Sequence, residues 1–331
     1  MKKLKIAFFG TWDFSKNILK DLLKGSRVEI KLVVSQPDQR VWRKNILQKT
    51  PVKLLAEENN IEVLQPEKLL KNSDFLDYLD SLELDFILVV AYWKIVPKRV
   101  LESAKYWCIN LHWSILPKYR GASPIQKAVK NWDTTTWLTV MFMSKGMDEW
   151  DILKIQEVDI EKDDCSQDIF TKFEQFWASL AIDTLEKIIN WDIEWKKQDN
   201  NKATYCWKIS KTDWEINFKL ETSSKIYNKY RAYKTWPWIY CYYNNIKLNI
   251  EMCEIFESSP QPSPEGEGVS RDVWQKHLTP WQTIKINKKN IGIVCADKKI
   301  LILKQVKLAW KKSMDILSFI NGNKKFLDYK F

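Results

Sequence analysis

The stretch "LDFILVVAYWKIVPKRVLESAKYWCINLH", residues 84–112, decides the fold class of this 331-residue chain. Two apolar runs, at 84–92 and 108–112, enclose a segment with helical spacing at 96–104. A strand, a helix and a second strand in this order form the crossover unit of a parallel sheet. The second strand ends at His112, so its polar residues would reach the edge where such sheets bind ligands.

The same alternation of strand and helix continues on both sides of this unit. Apolar strands are predicted at 5–10, 28–35, 61–65 and 138–143. Helices are predicted at 14–24, 51–59, 67–80 and 123–131, followed by one long helix at 166–190. Nearly continuous apolar strands between helices predict an α/β fold with a Rossmann-like, mostly parallel sheet covered on both faces.

The regular alternation of strand and helix patterns ends after this region, which predicts a second domain. The first domain is expected at 1–190 and a polar linker at 191–206. Short strand-like runs at 207–331 predict a second, smaller β-barrel of the OB type. Within it, the Pro-, Ser- and Gly-rich segment 257–272 is expected to be a disordered insertion.

The net charge of +11 lies almost entirely in the second domain. Residues 206–331 carry a net charge of +10, whereas residues 1–205 carry +1. A solvated face usually explains a single lysine run, but an excess confined to one β domain favours a nucleic-acid backbone as partner. The candidate contacts in this domain are Lys285, Lys288, Lys289, Lys311 and Lys312.

Several classes of protein are disfavoured by the composition. The six cysteines are widely spaced without a CxxC pair, which favours reduced thiols over a disulfide framework or a zinc site. The chain lacks an apolar run of membrane-spanning length, and its first residues do not resemble a signal peptide. We therefore expect a cytoplasmic, monomeric protein that needs neither a membrane nor a metal.

The polar residues at the end of the strand 108–112 are the strongest candidates for catalysis. Asn110 and His112 lie two positions apart, so both side chains project from one face of the strand. An amide donor beside an imidazole could stabilise an oxyanion and move a proton. Asp148 is the best carboxylate to approach them. A lone histidine is more often structural, and Asp148 could equally be a turn or cap residue.

The segment "NLHWSILPKYRGASPIQ", residues 110–126, resembles the N-x-H-x-S-L-L-P-x-x-R-G signature of 10-formyltetrahydrofolate-dependent formyltransferases. The resemblance continues in "FFGTWDF" at 8–14 and extends over nearly the whole chain. The segments "ATYCWKISKTDWEINF" at 203–218 and "KKSMDILSFING" at 311–322 resemble the C-terminal domain of the family members that formylate methionyl-tRNA.

This resemblance implies transfer of a formyl group from 10-formyltetrahydrofolate to the α-amino group of methionyl initiator tRNA. Asn110 and His112 would then donate to the oxyanion, and Asp148 would orient the imidazole. Arg43 and Lys44 would approach the tRNA acceptor stem, although solvated loop charges are an equal alternative. The folate pocket would be shaped by the loop Ser114, Ile115, Leu116, Pro117, Lys118, Tyr119, Arg120 and Gly121.

Two other functions remain open from the sequence. A sugar-nucleotide formyltransferase would share the signature, but it would not need the basic second domain. A non-catalytic RNA-binding protein with a decayed enzyme domain would explain the bulky Trp113 beside His112, but not the intact Asn110, His112 and Asp148.

Glycine and tryptophan are present in abnormal numbers. The chain has 8 glycines and 18 tryptophans, whereas an average composition would give roughly 23 glycines. Tryptophan also stands in turn contexts such as Asn-Trp-Asp, and at positions where the family usually has glycine: Trp42, Trp93, Trp107, Trp132, Trp137, Trp150, Trp214, Trp238 and Trp310. We predict that UGA codons for glycine were read as tryptophan, at Trp113 as well, and that several of these residues have positive φ or unusual exposure.

Overall fold

The computed structural model describes residues 3–41, 46–70, 72–256 and 278–331. The chain divides into two compact units. The first comprises Met1–Ile125, Thr134–Ile160 and Ile169–Lys208, and the second comprises Gln126–Asp133, Glu161–Asp168 and Ile209–Phe331. The segment predicted as a linker, 191–206, falls in the first unit, while the functional domain boundaries stay a prediction. The predicted insertion at 257–272, and Arg43 and Lys44, lie outside the described residues.

The first unit is built on a seven-stranded sheet. Its strands, and those of two small two-stranded sheets, are β1 (Leu4–Gly10), β2 (Val28–Val34), β3 (Gln39–Val41), β4 (Ile46–Gln48), β5 (Val63–Leu64), β6 (Phe86–Val90), β7 (Trp107–His112), β8 (Arg120–Gly121), β9 (Thr135–Phe142), β10 (Ile152–Asp159) and β11 (Tyr205–Cys206). The strand order of the main sheet is β10-β9-β7-β6-β1-β2-β5. The strands from β5 to β7 run parallel, and β9 and β10 are antiparallel. The Rossmann-like prediction is confirmed.

The centre of this sheet is buried on both faces, as its apolar runs require. All five residues of β6 and the last five of β1 are buried, which is the pattern of a parallel sheet with helices on each side. The edge strand β10 was not predicted, because "ILKIQEVD" mixes charged and apolar residues at a position with one partner strand. Within the described ranges, every helix is too short or too polar to span a bilayer.

The helix predicted at 67–80 begins only at residue 73, and the helices at 223–233 and 316–322 were not predicted. The helices of the two units otherwise follow the predicted positions with one correction. They are α1 (Asp13–Lys24), α2 (Pro51–Glu58), α3 (Ser73–Ser81), α4 (Lys98–Leu101), α5 (Pro124–Lys130), α6 (Ser166–Glu174), α7 (Trp177–Ile189), α8 (Ser223–Tyr233) and α9 (Ile316–Gly322). The single helix predicted at 166–190 is wrong. Gln175 and Phe176 donate their backbone N–H groups to the third residue before them, so α6 tightens and ends before α7 begins.

The second unit contains an antiparallel sheet and the helix α8. Its strands are β12 (Ile239–Tyr243), β13 (Ile246–Ile255), β14 (Thr283–Lys285), β15 (Ile291–Val294), β16 (Ile300–Leu308) and β17 (Met314–Asp315). The order is β12-β13-β16-β15-β14, with β17 paired to β16. The sheet curls into a half-barrel, which confirms the prediction of a smaller barrel-like β domain.

Candidate active site

Asn110 and His112 lie at the carboxyl end of β7, inside the main sheet. Val89 of β6 pairs with Asn110, and Thr139 of β9 pairs with His112. The imidazole of His112 is buried, with 5% of the residue exposed. Asn110 is half-buried, and its side-chain amide has no hydrogen-bond partner among the described residues. The amide is therefore free to serve a bound molecule.

The imidazole of His112 has an oxygen acceptor next to each nitrogen. Its Nε2 lies 3.1 Å from the carbonyl oxygen of Tyr119, and its Nδ1 lies 3.6 Å from Oδ2 of Asp148. A carbonyl oxygen only accepts, so Nε2 carries a proton in this arrangement. The structure thus brings His112 and Asp148 together, while their part in catalysis stays a prediction.

Asp148 is held in an unusual backbone conformation in the turn between β9 and β10. Its φ is 51°, in the left-handed region that non-glycine residues seldom occupy. Its Oδ2 accepts the backbone N–H of Gly121 at 2.8 Å, and this oxygen is also the one that faces His112. The carboxylate therefore links the end of β7 to β8 through a single atom.

The predicted folate-binding loop consists of buried and accessible residues. Four of its members are buried: Ser114, Leu116, Tyr119 and Arg120. The other four are half-buried or exposed: Ile115, Pro117, Lys118 and Gly121. Ser114 donates its hydroxyl to the carbonyl of Lys118, and its own carbonyl accepts from the Thr139 hydroxyl, both at 2.8 Å. The buried members therefore fix the shape of the loop, and only the accessible members can meet a ligand.

Gly121 is the residue in this loop that no other type could replace without a shift. Its φ is 117°, and a Cβ added there would lie 2.2 Å from the carbonyl oxygen of Cys206. This close approach arises because β8 pairs in parallel with β11, with Gly121 opposite Cys206. The pairing brings the segment after residue 190 alongside the loop.

Gln198, which sequence reasoning did not connect with the site, joins the predicted loop residue Arg120 to Asp148. The guanidinium of Arg120 is 1% exposed and donates to Oε1 of Gln198 from Nε at 3.1 Å and from Nη2 at 2.8 Å. Gln198 then donates its Nε2 to the backbone carbonyls of Asp148 and Trp150. Gln198 lies in the predicted polar linker, and the residues around it do not indicate a contact with Arg120 or Asp148.

A separate network fixes the carboxyl ends of β2 and β5. The Nζ of Lys53 lies 2.7 Å from Oδ2 of Asp38 and 2.6 Å from Oε1 of Gln65, whose amide also donates to Asp38. Burial alone would raise the pKa of Asp38, but the hydrogen bonds from Lys53 and Gln65 outweigh it, so the pKa is lowered. Asp38 immediately precedes β3, so this network anchors one end of the β3–β4 hairpin.

Two Asn-Trp-Asp sequences form the same helix-terminating motif. After α5, Trp132 donates its backbone N–H to Val129 and Asp133 donates to Ala128. After α7, Trp191 and Asp192 repeat these bonds. Trp132 has a φ of 64° and Trp191 a φ of 54°. This is the Schellman motif, in which the left-handed position is usually glycine.

Other tryptophans share this geometry or are unusually exposed. Positive φ values are found at Trp93, Trp238, Trp281 and Trp310. Trp107 and Trp150 are exposed, and the indole N–H of Trp113 is buried without a partner among the described residues. The predicted geometry of the suspect positions is therefore confirmed for several of them, while Trp42 lies outside the described residues. The reading of UGA as glycine stays a prediction.

The candidate lysines of the second unit lie in exposed positions without an ion-pair partner among the described residues: Lys285, Lys288, Lys289, Lys311 and Lys312. The first three lie at the end of β14 and in the turn 286–290, and the other two follow β16. Ile291 pairs with Leu303, so the turn 286–290 lies beside the carboxyl-terminal half of β16.

Both groups of lysines therefore lie at one end of the sheet, which we call the lysine end and define by those five residues. Lys298 and Lys299, between β15 and β16, lie at the opposite end. At the lysine end, Lys247 near the start of β13 places its Nζ 4.0 Å from the ring centroid of Trp214 and 4.1 Å from that of Tyr240.

Comparison with known proteins assigns both units. Residues 4–185 match the family model described as formyl transferase, and residues 208–324 match the model of the formyl transferase C-terminal domain. A methionyl-tRNA formyltransferase of Caldicellulosiruptor saccharolyticus is 37% identical over 97% of both chains. One of Sulfurimonas denitrificans is 35% identical, also over 97% of both chains.

Solved structures resemble the chain in fold. WlaRD, a sugar 3N-formyl transferase solved with dTDP and 5-N-formyl-THF, has a TM-score of 0.61 at 19% identity, covering 94% of this chain and 100% of its own. An N-formyltransferase from Helicobacter canadensis, solved with folinic acid and dTDP-3-aminofucose, has a TM-score of 0.60 at 20% identity, covering 92% and 99%. The family matches and the full-length relatives together show that the chain belongs to the formyl transferase family.

Proposed function

We propose that the chain transfers the formyl group of 10-formyltetrahydrofolate to the α-amino group of methionyl initiator tRNA. The observation that carries this proposal is the 37% identity to a methionyl-tRNA formyltransferase over 97% of both chains, which includes the basic second unit. The polar cluster of Asn110, His112 and Asp148 supports it, because acyl transfer to an amine needs oxyanion donors and a route for a proton.

The residues of the cluster have complementary roles in this reaction. The amine nitrogen attacks the formyl carbon, and the C=O electrons move onto its oxygen. The half-buried amide of Asn110 and the imidazole of His112 donate to that oxygen. The proton that the amine loses is relayed through the His112–Asp148 pair to the folate nitrogen, and the bond from the formyl carbon to that nitrogen breaks. Asp148 keeps the imidazole oriented and compensates its charge.

His112 must exchange one hydrogen bond to take part in this step. Its Nε2 donates to the carbonyl of Tyr119 in the structure, so a substrate oxygen has to compete with that carbonyl. Because Nδ1 faces Asp148, the ring can keep one anchor while the other bond changes partner. The accessible members of the loop, among them Ile115 and Lys118, form the wall that a folate would meet.

The lysine end of the second unit is the surface that we assign to the tRNA backbone. Exposed lysines without ion-pair partners in the described part of the chain can neutralise phosphates and release counterions. Backbone contacts suit an A-form acceptor arm, whose deep groove hides the base edges from side chains. Arg43 and Lys44 stay candidates for contacts from the first unit, and the monomeric state stays a prediction.

Acceptor identity is the direct test of this function. The purified chain is given labelled 10-formyltetrahydrofolate with either methionyl initiator tRNA or a dTDP-amino sugar. We expect label on the methionine after hydrolysis of the tRNA ester, and none on the sugar. Label on the sugar alone would support the sugar-nucleotide alternative, and label on neither acceptor would support a protein without this activity.

A further inference from the structure

We propose that Gln198 is a positioning residue that holds Asp148 against His112, and that Arg120 orients its amide. This inference rests on the proposed roles of Asp148 and His112 in formyl transfer. It concerns residues of the first unit alone, since Arg120, Asp148 and Gln198 all belong to it.

The amide nitrogen of Gln198 fastens the turn that carries Asp148. Nε2 donates to the carbonyl of Asp148 at 2.9 Å and to the carbonyl of Trp150 at 2.6 Å. These carbonyls stand on either side of Glu149, so one side chain joins both ends of a three-residue turn. An amide nitrogen has two hydrogens, and both are used in this way.

Arg120 determines which way the amide of Gln198 faces. A guanidinium can only donate, and it places two N–H groups on Oε1 of Gln198, so the amide nitrogen must face the two carbonyls. The guanidinium is buried, and Nη2 also donates to Oδ1 of Asn200 at 2.8 Å. A buried cation deprived of these acceptors would be costly, which makes the arrangement rigid.

The rigidity matters because the backbone conformation of Asp148 is unfavourable without support from surrounding residues. A left-handed φ of 51° at a non-glycine residue costs about 1–2 kcal/mol and persists where surrounding contacts impose it. The side chain of Arg120 acts on the main chain of Asp148 through Gln198, while the backbone N–H of Gly121 holds its carboxylate. Two consecutive residues of β8 thus fix both parts of Asp148, and with them the oxygen 3.6 Å from Nδ1 of His112.

The decisive variant is Gln198→Glu. Its carboxylate keeps the size of the amide and still accepts from Arg120, but an oxygen replaces the nitrogen that faces the carbonyls of Asp148 and Trp150. The matched control is Asn200→Asp, which makes the same amide-to-acid change at the other acceptor of Arg120. We expect Gln198→Glu to lower kcat by about 10- to 100-fold, the scale of a small misplacement of a catalytic group, with little change in either KM. Asn200→Asp should stay near the wild-type value.

A double-mutant cycle separates positioning from general stability. If Gln198 acts through Asp148, the decrease in kcat caused by Gln198→Glu should largely vanish in an Asp148→Asn background. Gln198→Met, which has a similar length and no polar group, should reproduce the decrease if the glutamate variant does not fold. A full kcat in either folded variant, or a decrease that is undiminished in the Asp148→Asn background, would overturn the proposal.

A second measurement, NMR of the His112 imidazole, needs no formyl acceptor. The chain has only two histidines, His112 and His277, so the imidazole NMR signals report the surroundings of His112 without turnover. We expect Gln198→Glu, and not Asn200→Asp, to move the His112 signal. An unmoved signal would contradict the positioning role even if the wild-type chain formylates methionyl-tRNA. If Gln198→Glu moves the His112 signal but the wild-type chain does not formylate methionyl-tRNA, the positioning role stands and the proposed function is wrong.

Discussion

The carboxyl edge of the main sheet and the lysine end of the second sheet present their polar groups in opposite ways. At the first, His112 is buried and each of its nitrogens faces an oxygen acceptor. At the second, residues such as Lys288 and Lys311 are exposed and have no ion-pair partner within the described ranges. One region has its geometry imposed by the protein, and the other leaves its charges available to a partner.

This difference indicates what each region can contribute. Acid–base chemistry needs groups held within fractions of an ångström, which buried hydrogen bonds provide. Phosphate binding depends on the number and placement of charges, and it tolerates long, exposed side chains. Changes in the first region should therefore act on turnover, and changes in the second should act on tRNA affinity and its salt dependence.

The largest effect is expected from His112→Ala. In the proposed mechanism the imidazole is one oxyanion donor and part of the proton relay, so its removal should lower kcat/KM by about 10²–10⁴-fold. Cys206→Ala is the matched control, because the Cys206 thiol lies 3.3 Å from the same Tyr119 carbonyl as His112 Nε2. Steady-state formylation kinetics of both variants check this prediction. A His112→Ala enzyme with nearly full turnover would remove His112 from the mechanism.

A smaller effect is expected from charge reversal at the lysine end. Lys288→Glu combined with Lys311→Glu should lower tRNA affinity about tenfold or more near physiological salt. For every phosphate that is no longer neutralised, the slope of the log–log salt dependence should become shallower by about 0.9. Lys298→Glu with Lys299→Glu makes the same charge change at the opposite end of the sheet. Binding titrations at several salt concentrations measure both pairs, and an equal decrease in affinity would mean that net charge alone matters.

The tryptophans provide a test of stability rather than turnover. Trp310 has a φ of 62° and is 96% exposed, so Trp310→Gly relieves a left-handed backbone and removes little packing. We expect the free energy of unfolding to rise by about 0.5–1 kcal/mol. Trp177→Gly is the contrast, because Trp177 is fully buried within α7, and its removal should cost about 3–5 kcal/mol.

The gene itself tests the origin of these tryptophans. UGA codons at Trp132, Trp191 and Trp310 would support glycine in the natural protein, whose intact mass would then be lower than the translated mass. UGG codons at these positions would contradict the hypothesis that UGA codons for glycine were read as tryptophan. In that case tryptophan is the natural residue at position 310, and Trp310→Gly changes it.

The smallest effect is expected from Asp38 as the pH changes. The pKa of this carboxyl is lowered in the folded chain, so its stabilisation is complete above the unfolded pKa of about 3.9 and is lost as the pH falls through the lower folded value. Asp38→Asn should therefore destabilise the folded chain at neutral pH and have no effect on its stability at strongly acidic pH. Urea unfolding at several pH values checks this, with Asp21→Asn at an exposed pair as control. If the difference in the free energy of unfolding between the wild type and Asp38→Asn increased as the pH falls, the prediction would be wrong.

The parts of the fold that rest on local pattern were predicted well from the sequence. The apolar runs gave β1, β2, β6 and β7 within about two residues, because strands buried on both faces carry little polar interruption. The edge strand β10 was not predicted from the sequence, because a strand with only one neighbouring strand tolerates charged residues on its open side. The break at Gln175 was missed because the apolar spacing continues through it.

The candidate site shows the same limit. Asn110 and His112 were found from their spacing on one strand, and Asp148 from its place after the next strand. Gln198 could not be found, because its role depends on a contact with Arg120 across 78 residues of sequence. The separation of Lys298 and Lys299 from the lysine end likewise follows from strand register and not from their charge.

The central claim is that the first unit performs the chemistry and the second unit supplies the tRNA surface. It is tested most directly by measuring kcat/KM for two acceptors, full methionyl initiator tRNA and a short methionyl ester of its 3′ end. The wild type, His112→Ala, and the pair Lys288→Glu with Lys311→Glu are compared on both. The account predicts that His112→Ala lowers both values alike, and that the lysine pair lowers only the value for full tRNA. An equal decrease for both acceptors in the lysine pair, or a His112 effect confined to full tRNA, would contradict it.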